Sequence, residues 1–175
     1  MPVLTDIQGY ASDLLKKLLY ARHDQLHWLI GRMYPDVTPQ KVMRQLGYLS
    51  KVINDGKHYI WPGCEVNEAR VAAIEIMLRL CGGAPPIFET ARPPCALTFF
   101  LMKQDCMQAF RIYTPVEGQE TQCRAIAEQQ RDPKGHAVVF YIDSRSQIPL
   151  LGVSHPHIFA VSDGAGGFTF QEAKL

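Results

Sequence analysis

Between Thr38 and His58 the chain gathers side chains suited to contact with a polyanion. Gln40, Lys41, Arg44, Gln45 and Tyr48 come first, and Lys51, Lys57 and His58 follow. Arginine and lysine meet guanine edges or phosphates, glutamine pairs with adenine, and tyrosine donates a hydrogen bond to a phosphate. Few acids intrude: from residue 37 to 64 four Lys/Arg stand against Asp55 alone. The set works as a recognition surface only if one element holds these side chains on a single exposed face. The plainer alternative is a small helical bundle with an ordinary solvated face.

Other constellations are weaker. His23 and His27 have the i, i+4 spacing that holds zinc on a helix, without a third ligand nearby in sequence. His155-Pro156-His157 offers two imidazoles, and its proline indicates a loop. Asp163-Gly164-Ala165-Gly166-Gly167 has the glycines of a phosphate cradle but neither G-x-x-x-x-G-K-[ST] nor a following helix, so a hairpin turn is expected. Ser144, Ser146 and Ser154 lie near His155 without the G-x-S-x-G elbow of a hydrolase. Cys123 beside Arg124 would have a lowered thiol pKa if the guanidinium faced it; otherwise it is structural. No metal site and no cofactor are expected.

Periodicity indicates the elements that would position these groups. Ile7, Tyr10, Ala11, Leu14, Leu15, Leu18 and Leu19 form one face of a first helix, capped by Thr5 or Asp6. A second helix spans roughly 24–34, with Asp24 as cap and Leu26, Leu29, Ile30 and Met33 as its stripe. Thr38-Pro39 opens a third, an N-cap residue followed by proline at the first helical position, with Val42, Leu46 and Leu49 as its buried side. Asp55-Gly56 between two β-prone runs, 51–54 and 57–61, predicts a hairpin. Beyond a break near Trp61-Pro62-Gly63 the pattern changes. A helix is expected over 67–80, strands over 96–103 and 107–113 about a turn at Gln104-Asp105, a helix over 117–130 opened by Thr114-Pro115, a buried strand over 137–142, and a last hairpin from 157–161 and 168–171. The helix over 67–80 has a broad apolar face that would suit a homodimer.

Composition bounds the function classes. The chain has 175 residues, 47% hydrophobic and 20% charged, with a net charge of +1, which excludes a polycationic tail protein. Charge is uneven: eight Lys/Arg against five Asp give residues 1–64 a charge of +3, and residues 65–175 carry −2. That asymmetry suggests two units, 1–64 and 65–175, with different partners. No apolar run approaches the ~18 residues of a membrane span. No secretory signal is visible, and Cys64, Cys81, Cys95, Cys106 and Cys123 contain no C-x-x-C pair, so free thiols in a reducing cytoplasm are expected.

Three helices and a hairpin within roughly 60 residues match the winged-helix arrangement, a helix-turn-helix variant whose third helix enters the DNA major groove. Residues 5–62, with Thr38-Pro39, QLGYLSKV leading into the hairpin and HYIWP closing it, resemble an uncharacterised family of winged-helix proteins on mobile elements of Gram-positive bacteria. Those are similar in turn to plasmid replication-relaxation proteins. The resemblance implies double-stranded DNA binding in mobile-element maintenance or transcriptional control. Residues 65–175 follow the element order of a restriction-endonuclease-like core. Its metal-binding carboxylates are missing, because the strand MQAFRIY has no acid, Asp105 lies in a turn and Glu89 has no partner. The expected class is therefore α+β: a winged helix-turn-helix followed by a mixed α/β domain with a degenerate nuclease-like core. The expected function is non-enzymatic DNA binding. The alternatives are a protein-interaction accessory subunit of a mobile-element complex, through the second unit, and a divergent metal-dependent nuclease.

Overall fold

Residues 5–83, 86–103, 106–130 and 136–172 are described by the structure, a computed structural model. Helix α1 (Asp6–Leu18) is held by a reciprocal cap. Thr5 Oγ1 accepts from Gln8 N at 3.3 Å, and Gln8 Oε1 accepts from Thr5 N at 3.0 Å. Ala11, Leu14, Leu15 and Leu18 are buried on the expected face. Leu19, with φ +70°, sits in backbone space that favours glycine and turns the chain sharply into strand β1 (Tyr20–Arg22). Three residues between two helices show no period, so β1 has no sequence signature.

Helix α2 (His23–Met33) follows β1 without a loop. Its N-cap is Arg22 rather than Asp24; the Asp24 carboxylate instead receives the Arg22 guanidinium at 2.9 and 3.0 Å. Helix α3 (Pro39–Gly47) starts as its sequence indicates, with Thr38 Oγ1 accepting from Lys41 N at 3.3 Å. Strands β2 (Ile53–Asn54) and β3 (His58–Ile60) flank the Asp55-Gly56 turn, where φ +94° requires glycine. The three short strands form an antiparallel sheet in the order β1-β3-β2, with Tyr59 opposite both Ala21 and Asn54.

Helix α4 (Glu68–Cys81) is capped by Asn67, whose Oδ1 accepts from Arg70 N at 3.1 Å. Then come β4 (Ile87–Thr90), β5 (Cys95–Lys103), β6 (Cys106–Tyr113), α5 (Glu120–Gln129), β7 (His136–Ile142), a 3₁₀ turn (Arg145–Leu150), β8 (His157–Ser162) and β9 (Phe168–Glu172). The six strands form one mixed sheet in sequence order. β4, β5 and β6 pair antiparallel, β6, β7 and β8 parallel, and β8 and β9 antiparallel. The protein is thus α+β with a six-stranded mixed sheet. Strand β4 and the 3₁₀ turn are additions to the expected order. Helix α5 begins at Glu120 rather than Glu117, because Gly118 at φ +83° and a Gln119 N to Val116 O bond occupy that stretch as a turn. The turn expected at Gln104-Asp105 lies outside the described residues.

Helix α4 is not the free dimer helix that its apolar content suggests. Val71, Ala73, Ile74, Ile76, Met77, Leu78 and Cys81 are all buried against this chain's own elements. One buried cluster contains Leu15, Leu26, Leu29, Val42, Leu46 and Tyr59 together with Ile74, Met77, Leu97, Phe99, Ile112 and Val139. It joins the helices around α3 to the large sheet through α4. Polar contacts fix the same junction. Glu75 Oε2 accepts from Arg22 Nη2 at 2.7 Å, Gln25 Nε2 donates to Val71 O at 2.9 Å, and Arg79 stacks 4.3 Å from the Phe168 ring. A second cluster, including Tyr113, Cys123, Ala127 and Phe140, fills the opposite face of the sheet under α5. Among the described residues no helix is long and apolar enough to cross a membrane.

Candidate nucleic-acid interface

Helix α3 separates its side chains by burial. Val42 and Leu46 are almost wholly enclosed, at 1% and 2% exposure, and they orient the helix. With 3.6 residues per turn, Gln40, Arg44 and Gly47 lie on the opposite side with Met43 at its edge, and all four are exposed. Lys41 flanks this stripe near its start and is exposed; Tyr48 follows the helix, 68% exposed; exposed Lys51 comes in the loop after it. Among the described residues Lys41, Arg44 and Lys51 make no ion pair, so their charges are available to a ligand. Met43 belongs to this surface although sequence reading omitted it. Its signal was the spacing, three after Gln40 and one before Arg44.

Three of the residues singled out by sequence are placed differently. Gln45 turns toward α1: Thr5 Oγ1 donates to its Oε1 at 3.4 Å, and Gln8 Nε2 donates to its backbone oxygen at 3.5 Å. It links α3 to the start of α1. Lys57 is exposed but donates to Glu68 Oε1 at 3.3 Å, a loose solvent-exposed pair of little strength. His58 is 4% exposed, and Ile60 on its face of β3 packs with Tyr20 and Val71. Its ring cannot face a ligand outside the hairpin. Instead Nδ1 lies 3.0 Å from Asp55 Oδ2, so that nitrogen carries the hydrogen.

The hairpin tip is closed by polar contacts within it. The Asp55 carboxylate accepts from Lys57 N at 2.8 Å and His58 N at 2.6 Å as well as from the His58 ring. These donors, the His58 amide foremost, hold its carboxyl well below the usual carboxylate range. Asn54 Oδ1 accepts from Gly56 N at 2.9 Å and lies 2.9 Å from His23 Nε2, which must therefore be the donor. The one acid of residues 37–64 is thus occupied in shaping the turn. A group with a depressed folded pKa stabilises above its unfolded value, about pH 4, and that contribution is lost as pH falls through the folded value. Replacing Asp55 with alanine is expected to lower stability at neutral pH and to leave a smaller acid-induced loss below about pH 4. Thermal melts of both proteins between pH 2 and 7 check this, and parallel curves would contradict it.

The remaining candidates resolve into structural roles. His23 and His27 have ring centroids 6.3 Å apart beside Tyr59, and burial pulls His27 below the ordinary imidazole value. Among the described residues no group of three His, Cys, Asp or Glu could hold a metal. Glu89 is exposed on edge strand β4 opposite Thr98, and Asp105 lies outside the described residues. The Asp163 carboxylate accepts from Ala165 N and Gly167 N at 2.8 and 2.9 Å, so those amides serve the hairpin turn, not a phosphate. A Cβ at Gly167 would collide with the Asp163 carboxylate, which could move aside only by giving up its bonds to the turn amides. Ser154 N donates to Glu128 Oε2 at 3.0 Å, and Ser144 Oγ accepts from Ser146 N.

Cys123 is 2% exposed, and burial pushes its thiol up to about 12, the opposite of activation by Arg124. All five cysteines are free, Cys106 is exposed, and Cys81 is raised to about 11 by burial. At pH 8 a thiol alkylating agent is expected to label Cys106 first and to reach Cys123 only after denaturation. Mass spectrometry of the labelled peptides reads the order; early labelling of Cys123 would contradict the packing under α5.

No protein-family model matches the chain, and no curated protein or solved structure matches it.

Proposed function

We propose that the protein binds double-stranded DNA without enzymatic activity, with residues 1–64 acting as a winged-helix unit. The observation that carries this reading is the exposed face of α3, where Gln40, Lys41 and Arg44 stand unpaired opposite Val42 and Leu46. Support also comes from the order α1-β1-α2-α3-β2-β3 and the antiparallel β1-β3-β2 sheet, the arrangement in which a hairpin flanks a recognition helix. In this reading α3 enters the major groove. Arg44 and Gln40 read base edges, Met43 offers apolar contact to a thymine methyl, and Lys41, Tyr48 and Lys51 meet phosphates. Lys57 reaches the backbone from the hairpin, and His58 and Gln45 act by positioning the hairpin and α3. With one α3 per chain, two copies would read a two-fold site. The biological setting proposed is mobile-element maintenance or transcriptional control in the cytoplasm.

The order of α4, antiparallel β4-β5-β6, α5 and parallel β7 supports a nuclease-like core for residues 65–175. Strand β6 has no acid, which favours a non-catalytic descendant. A protein partner for that region is the second reading, favoured by Ile87, Met102 and Met107 at 61%, 67% and 55% exposure. Fluorescence anisotropy with a mixed-sequence duplex at two salt concentrations separates the two. If four phosphates are neutralised, affinity falls by about a hundredfold when salt rises fourfold. Absence of binding at low salt would turn the assignment to the protein-interaction reading.

A further inference from the structure

Beside the α3 face a cleft of about 330 Å³ opens between α1, the turn after α3 and the residue that follows β3. Ser12 and Lys16 line it from α1, Tyr48, Leu49 and Lys51 from the turn, and Trp61 from the end of the hairpin. The volume falls at the lower end of small-ligand sites, about 300–1,000 Å³. Its chemistry is specific in kind. Two aromatic rings and the aliphatic Leu49 and Val52 supply apolar wall, two ammonium groups supply positive charge, and the Ser12 and Ser50 hydroxyls supply hydrogen bonds.

Neither ammonium group is firmly committed. Lys51 makes no ion pair among the described residues, and Lys16 pairs only with Asp13 at 3.1 Å, the two side chains 53% and 69% exposed. A pair that exposed is readily exchanged for an incoming anion. Lys16 Nζ also lies 5.7 Å from the Trp61 ring centroid, so positive charge and aromatic surface are adjacent.

We propose that this cleft is a binding site for a flat-ringed anion of mononucleotide size, its ring against Trp61 and Tyr48 and its phosphate between Lys16 and Lys51. Tyr48 and Lys51 belong also to the proposed DNA surface. Ligand and duplex therefore compete, a consequence that rests on the DNA-binding reading.

The first test needs no DNA. Trp28→Phe leaves Trp61 as the sole tryptophan, and its fluorescence is followed with AMP, GMP, CMP or UMP, and with adenosine or inorganic phosphate as controls. At least one nucleotide is expected to give saturable quenching below about millimolar concentration. Adenosine and phosphate alone are expected to bind at least about tenfold more weakly, and Lys16→Ala and Lys51→Ala each to weaken binding about tenfold. No saturable change with any of the four nucleotides, or an unchanged affinity in the Lys16→Ala, Lys51→Ala double variant, overturns the site. Phosphate binding as tightly as the nucleotide would overturn the aromatic part of the proposal. The nucleotide is then titrated into a duplex complex, which it is expected to dissociate. Nucleotide binding without any duplex binding would retain the site and defeat only the DNA reading.

Discussion

Replacing Arg44 with alanine is expected to weaken binding to a selected duplex by about five- to 150-fold and to flatten preference among base pairs at one position. A bidentate arginine–guanine contact discriminates by about 1–3 kcal/mol, which sets that range. The effect should be confined to binding. Arg44 is exposed on α3 and makes no ion pair among the described residues, so its removal leaves Val42 and Leu46 packed and the melting temperature unchanged. Lys57→Ala provides the contrast. Among the described residues its ammonium group meets only Glu68, so its loss should weaken all duplexes alike, by a few-fold, and reduce the salt slope by about 1. Competition anisotropy with specific and scrambled duplexes measures both variants. Equal affinity of Arg44→Ala and the parent protein would remove α3 from the interface.

Ile74→Ala should have the largest effect on stability. Ile74 is fully buried in α4, within the cluster that joins α1, α2 and α3 to the large sheet. Truncating such a side chain removes its burial and leaves a cavity, at a cost of about 2–5 kcal/mol. Because the cluster is continuous, the loss should be felt at both ends of the chain. Both tryptophans, Trp28 and Trp61, precede α4, whereas most of the strand content follows it. Tryptophan fluorescence and far-ultraviolet circular dichroism should therefore report one coincident denaturant transition, at lower midpoint in the variant. Separate transitions, with only one displaced, would contradict the shared core.

Elements with local signals were readable. Thr38-Pro39 started α3 because the cap and the proline act within one turn, and Asp55-Gly56 made a hairpin because φ +94° demands glycine. Apolar spacing placed α1, α4 and the paired strands β5 and β6. Strands β1 and β4 were not legible, since three or four residues at a sheet edge carry too short a pattern.

The interface was legible as a composition but not as a surface. Gln45 sits on the helix flank that meets α1, a contact with partners about 40 residues distant. His58 is buried beside Ile60, whose partners Tyr20 and Val71 lie far from the hairpin in sequence on both sides. Burial of α4 likewise depends on long-range packing; its apolar breadth suits a dimer helix and a central core helix equally well in sequence.

The most direct measurement is a titration of uniformly ¹⁵N-labelled protein with a short duplex, followed by amide NMR shifts at low salt. The largest changes are expected on residues 39–51 and at the hairpin tip around Gly56, with β4 to β9 nearly unmoved. Changes centred on Ile87, Met102 and Met107, or none at all, would contradict it.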